Sequence, residues 1–313
     1  MAEILSRIAR TVRIPASSAN LGPGFDALGL ALGIYLECRF APAPELSSSV
    51  TGRDASMIST GSDNLIWQTA LDVARDVLVD NRGGRFPYGL APIRLEINND
   101  IPIGKGLGSS AAALVAGVVI AEQLLGLNWE PHRVLDEAAR IEGHPDNVAA
   151  CVLGSIVTSA IDSGGVARAV RLELPPSYDV AVVVPDFILP TSVARSVLPD
   201  FYSRADAIFN VQRSALLIGA LLTGTTSAFP AAFEDRMHQP YRFKLVPGLE
   251  EMTKLRAPGL LGCALSGAGP SVLVFYERGS EDVCGVVRQI FEKNGHQAEI
   301  VHATIAKHGY TVE

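Results

Sequence analysis

The sequence predicts an α+β protein in two halves, and three observations carry that expectation. Runs with strand character alternate irregularly with runs of helical length, without the regular strand–helix repeat of a doubly wound sheet. The 313 residues exceed the roughly 250 at which single cores tend to divide. Apolar residues make up 48% of the chain and charged residues 19%, enough for a sizeable core and too apolar for global disorder. The join is expected near residues 160–178, which divides the chain into 1–165 and 166–313.

In chain order, residues 12–15 and 27–40 read as strands around a loop of glycine and small polar residues, 16–26. Residues 41–62 have turn chemistry and read as a surface loop. Leu65, Ala70, Val73, Ala74 and Val77 recur at helical spacing, which predicts a helix over 64–78. Residues 79–89 read as a loop and 92–98 as a strand. A glycine- and serine-rich turn at 104–110 leads into an alanine-rich run to Leu125, apolar all round and so expected as a buried helix. A second helix is expected over 131–142, with Asn128 as its N-cap and Gly143 as its stop. Residues 178–185 and 272–276 read as buried strands, and 205–222 as another mostly apolar helix.

Lys and Arg number 26 against 33 Asp and Glu, a net charge of −7 with no basic run. That balance argues against a nucleic acid or an anionic membrane as the main partner. Cys38, Cys151, Cys263 and Cys284 are widely spaced, form no C-x-x-C pair and are expected as buried, reduced thiols. The N-terminal residues lack the apolar stretch of a signal peptide. The longest apolar runs, 111–121 and 215–222, fall short of the roughly 18 residues that span a bilayer. A cytoplasmic protein is expected.

Chemistry concentrates in a few short segments. In IPIGKGLGSSAA, residues 101–112, glycines at 104, 106 and 108 permit backbone conformations closed to other residues, so successive N–H groups can turn toward one point. Ser109 and Ser110 then open a helix whose dipole favours an anion. The pattern describes a phosphate cradle that is neither a Walker loop nor a G-x-G-x-x-G turn; a plain strand-to-helix turn capped by Ser110 is the alternative. In EGHPDN, Glu142 and Asp146 stand four residues apart beside that loop, where a carboxylate pair suits Mg²⁺. A solvated Pro-Asp turn explains the same residues without a metal. PASSANLGPGFD, residues 15–26, holds Asn20 and Asp26 in a rigid loop suited to an amine or hydroxyl. In LSGAGPS, Gly267, Ala268 and Gly269 allow close approach of a ligand. Arg195 in LPTSVARSVLP and Arg242 in HQPYR offer planar forks that match a carboxylate.

Six of these segments in order, from about residue 12 to 276, make the chain resemble the GHMP kinase superfamily and, within it, the homoserine kinases. The resemblance implies an N-terminal domain with a left-handed βαβ crossover and a ferredoxin-like C-terminal domain, with ATP and substrate between them. It implies transfer of the γ-phosphoryl of ATP to the side-chain hydroxyl of L-homoserine, on the path to threonine, with Mg²⁺ as cofactor and a homodimer as a possible assembly. Carried onto this sequence, the ATP phosphates fall to Pro102, Ile103, Gly104, Lys105, Gly106, Leu107, Gly108, Ser109, Ser110, Ala111 and Ala112. Asn20, Asp26, His144, Asn147, Thr191, Arg195, Arg242 and Gly267 match positions around the amino acid. Asp146, Asn147 and Arg195 are the catalytic candidates; Asp146 matches an aspartate proposed as base in other members, and its role stays open. Ser110 and Glu142 are the candidates for the metal, with Asp136 and Glu137 competing for the carboxylate position. Lys105 either contacts a phosphate or faces solvent. A mevalonate-, shikimate- or sugar-type kinase would use Asp26 and the two arginines poorly, because those acceptors lack an α-ammonium. A non-catalytic nucleotide-binding regulator on the same fold should have lost the acceptor-side residues.

Overall fold

The computed structural model describes residues 9–80, 90–175 and 178–313. The expected loop at 79–89 thus lies almost wholly outside the described residues, as do the first eight residues.

The first sheet is built on β1 (Arg10–Ala19) and β2 (Leu28–Pro42), a long antiparallel pair. β3 (Ser47–Gly52) and β4 (Ile93–Asn99) run parallel, joined through helix α1 (Leu65–Asp80), which makes the βαβ unit. β4 pairs with the outer end of β2, and the hairpin β5 (Ile156–Ile161) and β6 (Ala167–Leu172) pairs with its inner end. Three helices follow the glycine loop: α2 (Ser109–Leu125), α3 (Pro131–Glu142) and α4 (Asp146–Leu153). β7 (Asp179–Pro185) opens the second sheet, which also holds β8 (Leu260–Leu265), β9 (Val272–Tyr276) and β10 (Ala298–Ala303). Its order is β10-β7-β9-β8, antiparallel throughout. Between β7 and β8 lie α5 (Thr191–Ser196), α6 (Arg204–Thr223) and the single turn α7 (Gln239–Arg242). The chain ends as β11 (Thr311–Val312) on the edge of the first sheet, beside β1.

The second sheet is a wall between two cores. Val180, Val182, Leu273 and Phe275 face the large core that fills the first half. Ala181, Val183, Val272 and Val274, the alternate positions, face a smaller core covered by the helix Val283–Lys293. Side chains alternate across a strand, so a sheet buried on both faces must be apolar at every position. That is why both strands read as unbroken apolar runs.

Several expectations need correction. Residues 16–19 continue β1 past a register shift between Pro15 and Ala16, so the turn begins only at Asn20. Their small side chains, Ala16, Ser17 and Ser18, are completely buried, and polarity there reflects close packing rather than exposure. The stretch 41–62 contains β3 and a short 3₁₀ turn at Ala55–Met57. β3 is a largely exposed edge strand of serines, without apolar alternation to announce it. Asp146 and Asn147 open an eight-residue helix, where a simple turn was expected. Asn128 does not cap α3; it sits at φ 52° and Glu130 holds the N-cap, while Gly143 at φ 87° closes the helix as expected. Gly108, not Ser110, occupies the N-cap of α2. α6 is long and apolar enough, by length and composition alone, to cross a bilayer. Here Leu217, Ala220 and Leu221 pack into the protein, and Asn210 Nδ2 and Ser214 Oγ donate to Pro23 O at 3.1 and 2.9 Å. Burial pushes all four free cysteine thiols up, to about 12 at Cys151 and Cys263, so they are neutral.

Candidate active site

Three turns from distant parts of the chain meet in one place. The glycine loop enters between β1 and the 266–269 turn, with Ser266 Oγ donating to Gly106 O at 2.7 Å and Ser271 N to Lys105 O at 3.2 Å. Gly106 sits at φ 78°, and a Cβ there would stand 2.2 Å from Ser266 O. Gly108 sits at φ 67°, and its Cβ would stand 1.9 Å from Ser17 Oγ. Both positions therefore demand glycine for handedness and for space. The third turn is tied in by Asn20, whose Nδ2 donates to Gly267 O at 2.9 Å and whose Oδ1 accepts from Asp26 N at 3.0 Å.

A cavity of about 290 Å³ opens at this junction. From the glycine loop it is lined by Ile103, Gly104, Gly106, Gly108, Ser109, Ser110 and Ala111. Pro102, Leu107 and Ala112 are instead buried beneath it. Lys105 also turns away: its ammonium donates to Pro185 O and Phe187 O, both at 2.8 Å, and so pins the loop to the end of β7. Burial lowers its pKa against the opposing pull of Asp186 and Asp54. Neither expected role of this lysine, a phosphate contact or a solvated side chain, matches that position.

The remaining expected residues converge on the same cavity: Asn20, Asp26, Glu142, His144, Asp146, Asn147, Thr191, Arg195, Arg242 and Gly267. Thr191 and Arg195 come one turn apart on α5, which places both on one face. Arg195 grips Asp26 through two bonds, 2.8 and 3.2 Å. Arg242 is 1% exposed; its Nε donates to Ala194 O and its Nη1 to Gly267 O. Nη2 has no partner among the described residues. Burial, with repulsion from Arg195, brings the Arg242 guanidinium down to about 10, still cationic at neutral pH.

The turn between α3 and α4 supplies the carboxylates. Asp146 is 2% exposed, and its Oδ1 accepts from His144 Nδ1 at 2.8 Å and Asn147 N at 2.7 Å. Its Oδ2 accepts nothing among the described residues. Burial raises the Glu142 pKa, helped by Asp146, and no described hydrogen-bond donor reaches this carboxylate. The competing acids are occupied elsewhere. Glu137 is held by Arg133 and Arg140, while Asp136 pairs with Arg133 and accepts from Ala167 N. Atoms of Asp26, His144 and Asp146 lie within 4.8 Å of one another, as metal ligands do. Arg195 pairs with Asp26, and His144 with Asp146 through Oδ1 alone.

Some residues that shape the cavity carried no signal of their own in the sequence. Phe25 lies under both arginines, each guanidinium carbon 5.7 Å from its ring centre. Ser17 ties β1 to the site by donating to Asn147 Oδ1 at 2.9 Å. His238 could have been singled out, since it stands four residues before Arg242 in the quoted HQPYR segment.

A glycine loop at a helix N-terminus, facing a charged cavity to which both halves contribute, is the arrangement of a small-molecule kinase of the GHMP class. Residues 64–155 match the GHMP kinases N terminal domain and residues 217–306 the GHMP kinases C terminal. Homoserine kinase of Solibacter usitatus is 67% identical over 299 residues, covering 96% of this chain and 95% of that one. That of Deinococcus radiodurans is 42% identical, covering 97% and 96%. The crystal structure of homoserine kinase from Cytophaga hutchinsonii aligns with a TM-score of 0.81 at 26% identity, covering 97% of each chain. The chain belongs to the homoserine kinase family of the GHMP kinases.

The His144–Asp146 contact has a predictable pH signature. Burial alone would lower the His144 pKa, but the hydrogen bond and charge of Asp146, with the charge of Glu142, raise it overall. A raised imidazole contributes stability that is present below the ordinary histidine range and lost as pH rises through the folded value. The melting-temperature advantage of the wild type over His144→Asn should therefore be largest near about pH 5.5 and shrink by about pH 8.5. An advantage that grows with pH would show that His144 is not held as a cation by this pair.

Proposed function

We propose that the chain phosphorylates the side-chain hydroxyl of L-homoserine with ATP, giving O-phospho-L-homoserine and ADP. One observation carries the reading. A buried cationic fork, Arg242, stands with Arg195 and Asp26 in the same cavity as the glycine loop. An α-amino acid brings the charges to match: its carboxylate to the arginines and its ammonium to Asp26. An isoprenoid acid or a sugar would leave Asp26 without an ammonium.

The division of labour follows the chain. The first half, which runs through β6 to Leu172 because a division at 165 would cut the β5–β6 hairpin, supplies the phosphate loop, whose N–H groups and helix dipole hold the phosphates of ATP. The second half supplies the arginines. The hydroxyl oxygen forms a bond to the γ-phosphorus as the bond to the β,γ-bridging oxygen breaks, and that electron pair leaves with ADP. Asp146, with Oδ1 anchored by His144 and Asn147 N, offers Oδ2 to the hydroxyl and receives its proton late in transfer. Positioning provides most of the acceleration in such a reaction.

Ser110 and Glu142 fit a magnesium ion. Both line the cavity beside the loop, both offer oxygen, and Glu142 is a largely buried carboxylate lacking a donor. When bound with ATP, Mg²⁺ supplies neutralisation of charge on the transferring phosphates.

Release of ADP from Mg·ATP tests the reading directly, comparing L-homoserine with mevalonate, shikimate, galactose and L-threonine. Turnover that requires L-homoserine is expected; preference for any other acceptor would refute the amino-acid pocket. For the metal, Glu142→Gln should raise the Mg²⁺ concentration giving half-maximal rate by about tenfold or more, with Asp136→Asn close to wild type. The reverse order would move the metal ligand to Asp136.

A further inference from the structure

We infer that His238 is a positioning residue for the acceptor: as the neutral Nε2–H tautomer, it aims the Arg242 guanidinium at the substrate carboxylate and ties it to the loop carrying Asp26. The inference rests on the homoserine reading above. His238 is completely buried and touches both halves of the pocket. Its Nε2 lies 2.7 Å from Gly22 O, two residues past Asn20. A carbonyl can only accept, so Nε2 carries the proton. Its Nδ1 lies 3.0 Å from Arg242 Nη1. A guanidinium can only donate, so Nδ1 is bare. The other neutral tautomer would lose both bonds, and a doubly protonated ring would press a proton against the arginine. The two partners therefore fix one state of the ring.

The surroundings hold that ring still. Asp235 accepts from the backbone N–H groups of Met237, His238 and Gln239 and from Asn210 Nδ2, which closes the turn leading into α7. Phe25 stacks on the ring at 5.3 Å and 19°. Ala194 O and Gly267 O also accept from Arg242, on Nε and Nη1. With His238 they leave only Nη2 for a ligand. The histidine thus sets the direction of the fork, and the same ring anchors the turn that places Asp26. Movement of either partner is transmitted to the other across a single imidazole.

Two conservative variants separate this role from simple packing. In His238→Asn the amide oxygen takes the place of Nδ1 and still accepts from Arg242. In His238→Gln the amide takes the place of Nε2, serves Gly22 O and leaves Nη1 without that acceptor. The readout compares L-homoserine with 3-aminopropan-1-ol, the same amino alcohol without the carboxylate. Its KM, or its KI against L-homoserine, gives the discrimination conferred by the carboxylate. We expect His238→Gln to lower that discrimination about tenfold with the KM for ATP unchanged, and His238→Asn to keep it within about threefold. Equal effects of the two variants, or equal losses with both acceptors, would overturn the inference and leave the homoserine reading standing. Failure of the wild type to use L-homoserine would remove both. The wild-type protein gives an independent check, free of any folding defect in a variant. Nitrogen-15 spectra of labelled histidine should show one slowly exchanging, buried ring protonated at Nε2 alone. Protonation at Nδ1 of the ring whose signal disappears in His238→Asn would contradict the assignment.

Discussion

The site depends on one close approach of backbone to backbone. Gly106 and the 266–269 turn come together so tightly that no side chain fits between them, and Ser266 fills the remaining gap by donating to Gly106 O. This contact joins the glycine loop, which launches α2 on one sheet, to the β8–β9 turn of the other. Asn20 then closes the ring by reaching Gly267 O. If the approach widens, the glycine loop loses its seat on the 266–269 turn, and Gly267, which lines the cavity, shifts with it. The shared wall of β7 and β9, buried on both faces, keeps the halves from separating beneath that junction.

The pocket carries charges of both signs. The chain is acidic overall, yet the largest fully buried side chain among the described residues is an arginine. A guanidinium withdrawn from water without a carboxylate in direct contact costs several kcal/mol, which favours any ligand that brings an anion to it. Arg195 and Asp26 face the same space and neutralise each other. A zwitterion can replace that pair with two new ones of the same sign, so its charges enter without leaving either side chain unmatched. An uncharged alcohol cannot.

Much of this arrangement was legible in the sequence, and what was not has physical reasons. Long apolar or alternating runs announced β2, β7, β9 and α2, since burial on one or both faces leaves a periodic trace. β3 left none because an exposed serine strand looks like a loop. α4 was hidden because eight residues behind Pro145 are too few to show a period. The structure brings the motif residues Asn20, Asp26, His144, Asp146, Arg195 and Arg242 to one cavity, but their partners across the fold left no trace in the sequence. Lys105 lies inside a phosphate loop, but its ammonium answers to carbonyls some eighty residues on, at Pro185 and Phe187. The choice among Asp136, Glu137 and Glu142 likewise required knowing which acids were already paired.

The account stands or falls on where the amino acid sits relative to the glycine loop. A crystal structure of the ternary complex with L-homoserine and a non-hydrolysable Mg·ATP analogue tests this most directly. The predicted result has the carboxylate on Arg242 Nη2 and Arg195, the ammonium at Asp26 with the Asp26–Arg195 pair opened, and the hydroxyl between Asp146 Oδ2 and the phosphates. An intact Asp26–Arg195 pair, with the amino acid bound elsewhere or its carboxylate turned toward the glycine loop, would contradict it.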